Sequence, residues 1–206
     1  MKKSIILLGM VIMPFLLNAE IKVLAFAGST REGSYNKKLV AEAAEKAREM
    51  GASVTLIDLK EFPMPLYEAD LEKSKGMPEA VKKLRQIMMA HDAMIIASPE
   101  YNASIPALLK NALDWASRSE EGQGSKAAFK GKKIAIMSAS PGKSGGVRAL
   151  AHLRTVLEDV GAIVVPSELV LPRVFESTPE KEENKRIVLK QALKELLAEN
   201  QVPVSK

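Results

Sequence analysis

The 206-residue chain contains no cysteine. That excludes disulfides, thiol nucleophiles, thiolate metal sites and any cofactor attached through sulfur. Histidine is almost as scarce: His91 and His152 are the only two, so a histidine-built metal cage is excluded as well. Aromatic residues make up 4% of the sequence, and none is interleaved with the basic cluster Lys130, Lys132 and Lys133. That cluster therefore reads as a solvated loop face, and nothing in it points to a nucleic-acid partner. A large excess of one charge is lacking too. Thirty Lys and Arg against 25 Asp and Glu give a formal +5, with Glu42 and Glu45 following Lys37 and Lys38. What remains, 47% hydrophobic and 27% charged residues, is the composition of a soluble globular protein with a proper core.

A membrane-spanning apolar run is also missing, and no stable span is predicted. The nearest approach is the uncharged stretch 4–19, 16 residues long, where a spanning helix needs about 20. It follows a basic Met1-Lys2-Lys3 and carries Pro14, the shape of a secretory signal or anchoring segment, although Leu17 breaks the small-x-small rule before a cut at Ala19. The other reading is an over-long start, with translation from Met10 or Met13. Residues 1–19 are set aside as an N-terminal extension, and the folded domain is placed at 20–206. A functional signal would make the protein periplasmic or secreted.

From Ile21 onward two periodicities alternate. Strands are predicted at 21–27, 53–58, 93–97, 133–138 and 162–165, with 168–171 as a possible extension beyond Pro166. Helices are read from the spacing of Leu39, Val40, Ala43, Ala44 and Ala47, closed by Gly51; from Pro78; from Leu108, Leu109, Ala112, Leu113 and Ala116; from Leu150, Leu153, Val156 and Leu157; and from Thr178-Pro179-Glu180 to about Glu199. Between them lie a Pro63–Pro65 loop and a loop containing Gly122 and Gly124. Such alternation specifies a single α/β domain, a doubly wound five-stranded parallel sheet with helices on both faces.

In that architecture ligands sit beyond the carboxyl ends of the strands. The loop after strand one, Gly28–Asn36, offers a glycine for the turn, neutral donors Ser29, Thr30, Ser34 and Asn36, the charged fork of Arg31 and a helix N-terminus, a set suited to a terminal phosphate. The alternative is Ser34 as a helix cap with Arg31 solvated. Thr30 spoils a dinucleotide fingerprint and Ser34 a Walker loop. The loop after strand three, Pro99-Glu100-Tyr101-Asn102-Ala103-Ser104, is stiffened by Pro99 and Pro106 and can turn amides toward a flat heteroaromatic ring. Glu100 reads first as an acceptor that holds this loop and second as a catalytic acid. Lys110 and Asp114 have ion-pair spacing, and Trp115 reads as core or interface. The loop after strand four, Ser138 to Gly146, supplies hydroxyls and backbone N–H groups. Neither histidine has a nucleophile elbow to serve.

Gly28-Ser29-Thr30-Arg31 with Ser34, Asn36 and Leu39, then Pro99-Glu100-Tyr101-Asn102 with Ser104, Pro106, Leu109, Lys110, Asn111, Asp114 and Trp115, resemble the NADPH-dependent FMN reductase family. Ser138-Ala139-Ser140-Pro141-Gly142 with Gly145-Gly146 is similar to that family's third loop, and the resemblance covers about 21–175. It implies a flavodoxin-like fold and a cytoplasmic enzyme that passes hydride from NADPH, or NADH, to bound FMN. A small acceptor (quinone, azo compound, metal oxyanion or free flavin) would then be reduced by a ping-pong mechanism. By position it implies that Ser29, Arg31, Ser34 and Asn36 hold the FMN phosphate. Pro99, Glu100, Tyr101, Asn102 and Ser104 would line the ribityl chain and ring, with Ser138, Ser140 and Gly142 approaching from the third loop. No catalytic side chain and no metal are implied; a homodimer or tetramer with flavin at the subunit contact is. Ala107 departs from the glycine many members carry after the proline. The alternative is a flavodoxin-like FMN electron carrier without nicotinamide turnover, against which the positive charge argues.

Overall fold

The structure is a computed structural model that describes residues 20–120 and 124–198. The expectations for residues 1–19, Gly122 and Glu199 lie outside them. The strands are β1 (Lys22–Ala27), β2 (Ser53–Asp58), β3 (Ala93–Ala97), β4 (Lys133–Ala139), β5 (Ile163–Val164) and β6 (Leu169–Leu171). The helices are α1 (Tyr35–Glu49), α2 (Ala69–Lys75), α3 (Glu79–Met89), α4 (Ala107–Ala116), α5 (Val147–Asp159) and α6 (Pro179–Leu197). Every pairing is parallel and the order is β2-β1-β3-β4-β5. β6 continues along the same edge, pairing with Met137–Ala139 where β5 pairs with Lys133 and Ile134. The segment beyond Pro166 is thus a sixth strand: proline cannot supply the ladder hydrogen bond, so the edge breaks there and resumes.

Side chains alternate across the sheet as strand geometry requires. Leu24, Phe26, Met94, Ile96, Ile134 and Ile136 face α3, α4 and α5, whereas Val23, Ala25, Ala27, Ala97, Ala135 and Met137 face α1 and α6. The second face is rich in alanine, and α1 meets it with Ala43, Ala44 and Ala47. Small residues on both surfaces let α1 lie close to the sheet, which fixes where its first turn stands relative to the strand ends.

Two sequence expectations are corrected here. The stretch before Pro78 contains α2, whose seven residues include none that is buried, so it carries no apolar period to read. The lysine cluster is not a uniformly solvated face. Lys132 is half-buried, with its ammonium on the carbonyls of Met89 and His91 and its pKa lowered by burial. Lys133 Nζ donates to Ala198 O at 2.9 Å, a cation at the C-terminal end of α6 as the helix dipole favours.

Among the described residues no helix is long and apolar enough to cross a membrane.

Candidate active site

All strands being parallel, β1, β3 and β4 deliver their following loops to one end of the sheet. Each loop leaves under the control of its neighbour: Gly28 N donates to Ala97 O, Ser98 N to Met137 O and Ser140 N to Leu171 O, at 2.8, 2.9 and 3.0 Å.

In the first loop, Gly28 serves packing. A Cβ there would stand 2.8 Å from Leu109 Cδ2 and 3.0 Å from Leu109 Cβ. The turn falls to Gly33, at φ +67°. Ser29 Oγ accepts from Arg31 N at 3.3 Å, and Arg31 Nη1 donates to Glu32 O at 3.1 Å. Ser34 occupies the N-cap position of α1 yet makes no side-chain cap bond. The first turn of α1 holds no acid and carries Lys37 and Lys38, the reverse of what a helix dipole favours. Lys37 bridges to Asp58 at 2.5 Å and to Thr30 O at 3.4 Å, tying the loop to the end of β2. Burial opposes ionisation of Asp58, but Lys37 and the Lys60 N–H outweigh it and hold its pKa low. Uncapped N–H groups, the Ser34 hydroxyl and the Arg31 fork are donors of the kind that suit an anion.

The second loop opens with Pro99, buried, and then turns back on itself. Tyr101 and Ser104 exchange backbone hydrogen bonds of 2.9 and 3.0 Å across Asn102 (φ +50°) and Ala103 (φ +64°). Positive φ at both central positions is the hairpin geometry that Asn-Gly satisfies best. Ala103 pays about 1–2 kcal/mol for it, partly offset because glycine loses about 0.5–1 kcal/mol more conformational entropy. Ala103→Gly should therefore stabilise the protein by about 0.5–1 kcal/mol in urea unfolding without changing the loop.

Three of the twelve sequence-predicted residues have other occupations. Asn36 is buried, with Nδ2 donating to Ala139 O and Oδ1 accepting from Ala139 N, both at 2.9 Å; it rivets the start of α1 to the end of β4. Ser138 is sealed beneath Gly146 and, among the described residues, its Oγ is the one buried side-chain polar atom without a partner. Glu100 points away from the loop mouth to the N-terminus of α5. Its carboxylate accepts from the N–H groups of Arg148 and Ala149 at 3.2 and 3.3 Å, from Arg148 Nε at 3.0 Å and from Arg148 Nη2. The Arg148 guanidinium, with those N–H groups behind it, lowers its pKa against the opposing effect of burial. This is the holding role read from sequence, and an acid kept ionised is poorly suited to proton donation. The remaining residues, Ser29, Arg31, Ser34, Tyr101, Asn102, Ser104, Ser140 and Gly142, stand on the three loops with Pro99 beneath the second. Ser140 Oγ accepts from Gly142 N at 3.1 Å, and Gly142 O accepts from Arg173 N at 3.1 Å.

Sequence reasoning missed the support behind the second loop. Asn111 accepts from Tyr67 N at 2.7 Å and donates to Pro65 O at 2.9 Å, while Trp115 Nε1 donates to the same carbonyl at 2.9 Å. The Pro63–Tyr67 segment is thereby strapped to α4, with Trp115 fully buried. The anticipated Lys110–Asp114 pair forms at 2.6 Å. No metal-binding group of His, Asp and Glu occurs among the described residues.

Residues 21–176 match the family described as NADPH-dependent FMN reductase. The chain is 44% identical over 138 residues, 67% of this chain and 70% of the other, to the NAD(P)H-dependent FMN reductase PA1204 of Pseudomonas aeruginosa. It is 33% identical over 152 residues, 72% and 76% of the two chains, to the quinone reductase of Escherichia coli. The solved structure of FerB, a flavoenzyme NAD(P)H:(acceptor) oxidoreductase from Paracoccus denitrificans, superposes with a TM-score of 0.67 at 26% identity. That match covers 85% of this chain and 97% of FerB. With its flavodoxin-like strand order and its three-loop site, the chain belongs to the NADPH-dependent FMN reductase family of oxidoreductases.

Proposed function

We propose that this protein binds FMN in the three-loop site and uses it to carry electrons from NADPH or NADH to a small acceptor. Quinones, azo compounds, metal oxyanions and free flavin are the candidate acceptors. The observation that carries the reading is the first turn of α1, built against its own dipole and lacking a side-chain cap. A phosphate dianion seated there would satisfy the N–H groups and give the Arg31 guanidinium an anionic partner. When bound, FMN supplies hydride acceptance and release, chemistry that no side chain here provides.

The chain's own residues bind and orient. Ser29, Arg31 and Ser34 hold the phosphate. Tyr101, Asn102, Ser104, Ser140 and Gly142 line the ribityl chain and ring. Asn36, Glu100 and Ser138 set the shape of the loops from behind. A homodimer or tetramer is part of the proposal, supported by Tyr101 in the second loop and Val147 at the start of α5, both large and exposed; sedimentation equilibrium should give at least twice the chain mass of 22.4 kDa.

Riboflavin is FMN without the phosphate, so the pair isolates the cradle. Charge-assisted hydrogen bonds contribute about 1.5–3 kcal/mol each, and FMN should therefore bind at least about 100-fold more tightly than riboflavin. Arg31→Ala should close about tenfold of that gap by weakening FMN alone. Equal affinity for the two flavins would refute the phosphate site. Without oxygen, NADPH or NADH should bleach the bound FMN; a stable yellow protein would be the electron carrier instead.

A further inference from the structure

Of the described phenylalanines, Phe26, Phe62 and Phe129 are buried, whereas Phe175 is 72% exposed. The turn that carries it is held in place. Arg173 N and Val174 N donate to Gly142 O and Ser140 O at 3.1 and 3.2 Å, and Glu176 N donates to Arg173 O at 2.8 Å. These bonds pin the turn to the third loop and maintain Arg173 at φ +48°, a conformation that costs energy unless its surroundings enforce it. The Phe175 ring meets Tyr35 edge to face, with centroids 5.3 Å apart, and Tyr35 directly follows Ser34 of the first loop. An apolar ring is thus displayed to water between the candidate phosphate loop and the third loop.

Behind Tyr35 lies a cavity of about 270 Å³, walled by Tyr35, Leu39, Ala139, Val170, Pro172 and Val174. The carboxylates at its rim are matched: Glu176 by Lys181 and Arg173, Glu42 and Glu182 by Lys185. Lys38 is the rim cation without a carboxylate partner among the described residues; its ammonium stands 5.7 Å from the Tyr35 ring centre.

We propose that Phe175 and this cavity receive the adenosine end of the nicotinamide dinucleotide. The adenine stacks on Phe175, its ribose turns to the apolar walls, and Lys38 meets the 2′-phosphate, which favours NADPH over NADH. A flat ring with a phosphate beside it is the shape and charge that an aromatic face, apolar walls and one lysine fit. A protein partner would need a far broader apolar surface than one phenylalanine offers. The inference rests on the FMN reading, because the nicotinamide end of the same molecule has to reach the flavin.

Reduced nicotinamide mononucleotide is the same hydride donor without the adenosine half, so it isolates this end of the site. The full-length, FMN-loaded protein would be mixed with each donor in the absence of oxygen. The rate constant for flavin bleaching by NADPH, divided by that for the mononucleotide, should fall about tenfold in Phe175→Ala and recover in Phe175→Trp. Lys38→Gln should lower the ratio for NADPH over NADH about fivefold. Adenosine 2′,5′-bisphosphate, which cannot reduce flavin, should bind the parent saturably in equilibrium dialysis and bind Phe175→Ala about tenfold more weakly. Equal losses with both hydride donors would make Phe175 a support of the loops, overturning the proposal and leaving the FMN reading standing. An unchanged donor ratio with a lower sedimentation mass would assign Phe175 to a contact between copies, which also overturns it. Saturable, Phe175-dependent binding of the bisphosphate in a protein whose FMN no donor bleaches would uphold the adenosine site and sink the reductase reading.

Discussion

Gly146→Ala should be among the most damaging single methyl groups that can be added to the site, costing about 3–4 kcal/mol of a total that is normally 5–15. Two causes act together. The added Cβ would stand 1.9 Å from Ser138 Oγ and 2.7 Å from Ser138 Cβ, and β4 cannot retreat because it is paired on both sides. Gly146 also has φ +95°, where any L side chain is strained. A double variant separates the causes. Ser138→Gly with Gly146→Ala removes the collision and keeps the backbone strain, so it should recover about half of the loss. Ser138→Ala alone should stabilise the protein by about 1 kcal/mol, because it deletes a buried hydroxyl that has no partner. Urea unfolding of the four proteins checks all three values. A Gly146→Ala variant as stable as the parent would mean that the third loop does not sit on β4 as described.

The sheet was legible in the sequence because its strands are short apolar runs bounded by glycine, proline or aspartate. The predicted limits of β2 and β3 coincide with the observed ones, 53–58 and 93–97. The α2 helix and the sixth strand were harder: α2 buries nothing, and Pro166 hides the return of the edge. At the site the loops were legible as loops. The direction in which side chains point was not. Asn36 has the composition of a phosphate ligand, yet its amide goes to a backbone group 103 residues away. Gly28 looked like a turn glycine and is required by Leu109, a residue of α4. Ser138 carries a hydroxyl as suitable as that of Ser140, but strand alternation sends it under the loop. Each of these depends on a contact between elements far apart in sequence, which local pattern cannot encode. Arg148 had no signal at all, because nothing in a helix's first turn shows that a carboxylate from another loop will reach it.

Glu100→Gln should cost about 2 kcal/mol and loosen FMN, and the order of causes behind this begins at Ser138. Because Ser138 lies under the third loop, Gly146 is the residue that fits above it, and a glycine cannot cap α5 with a side chain. Glu100 supplies the missing cap from the second loop, accepting from the N–H groups of the second and third helical residues as an N-cap side chain does. One carboxylate thereby fixes the second loop to the third. The variant keeps a carbonyl acceptor but loses the charge, and the carboxylate is 8% exposed, so little solvent screening softens the loss. The pH dependence carries a definite sign. The folded pKa of Glu100 lies below its ordinary value of 4.5, so the charge contributes fully above that value and its contribution disappears as pH falls through the depressed folded pKa. The stability gap between parent and Glu100→Gln should be flat from neutral pH to about 4.5 and close below it. Arg148→Ala is the control. Its side chain is 60% exposed, so solvent screens the pair from that side and losing the guanidinium alone should cost clearly less than losing the carboxylate charge. If the two variants prove equally unstable, the ion pair holds the loops together; a clearly larger loss in Glu100→Gln assigns that work to the helix cap.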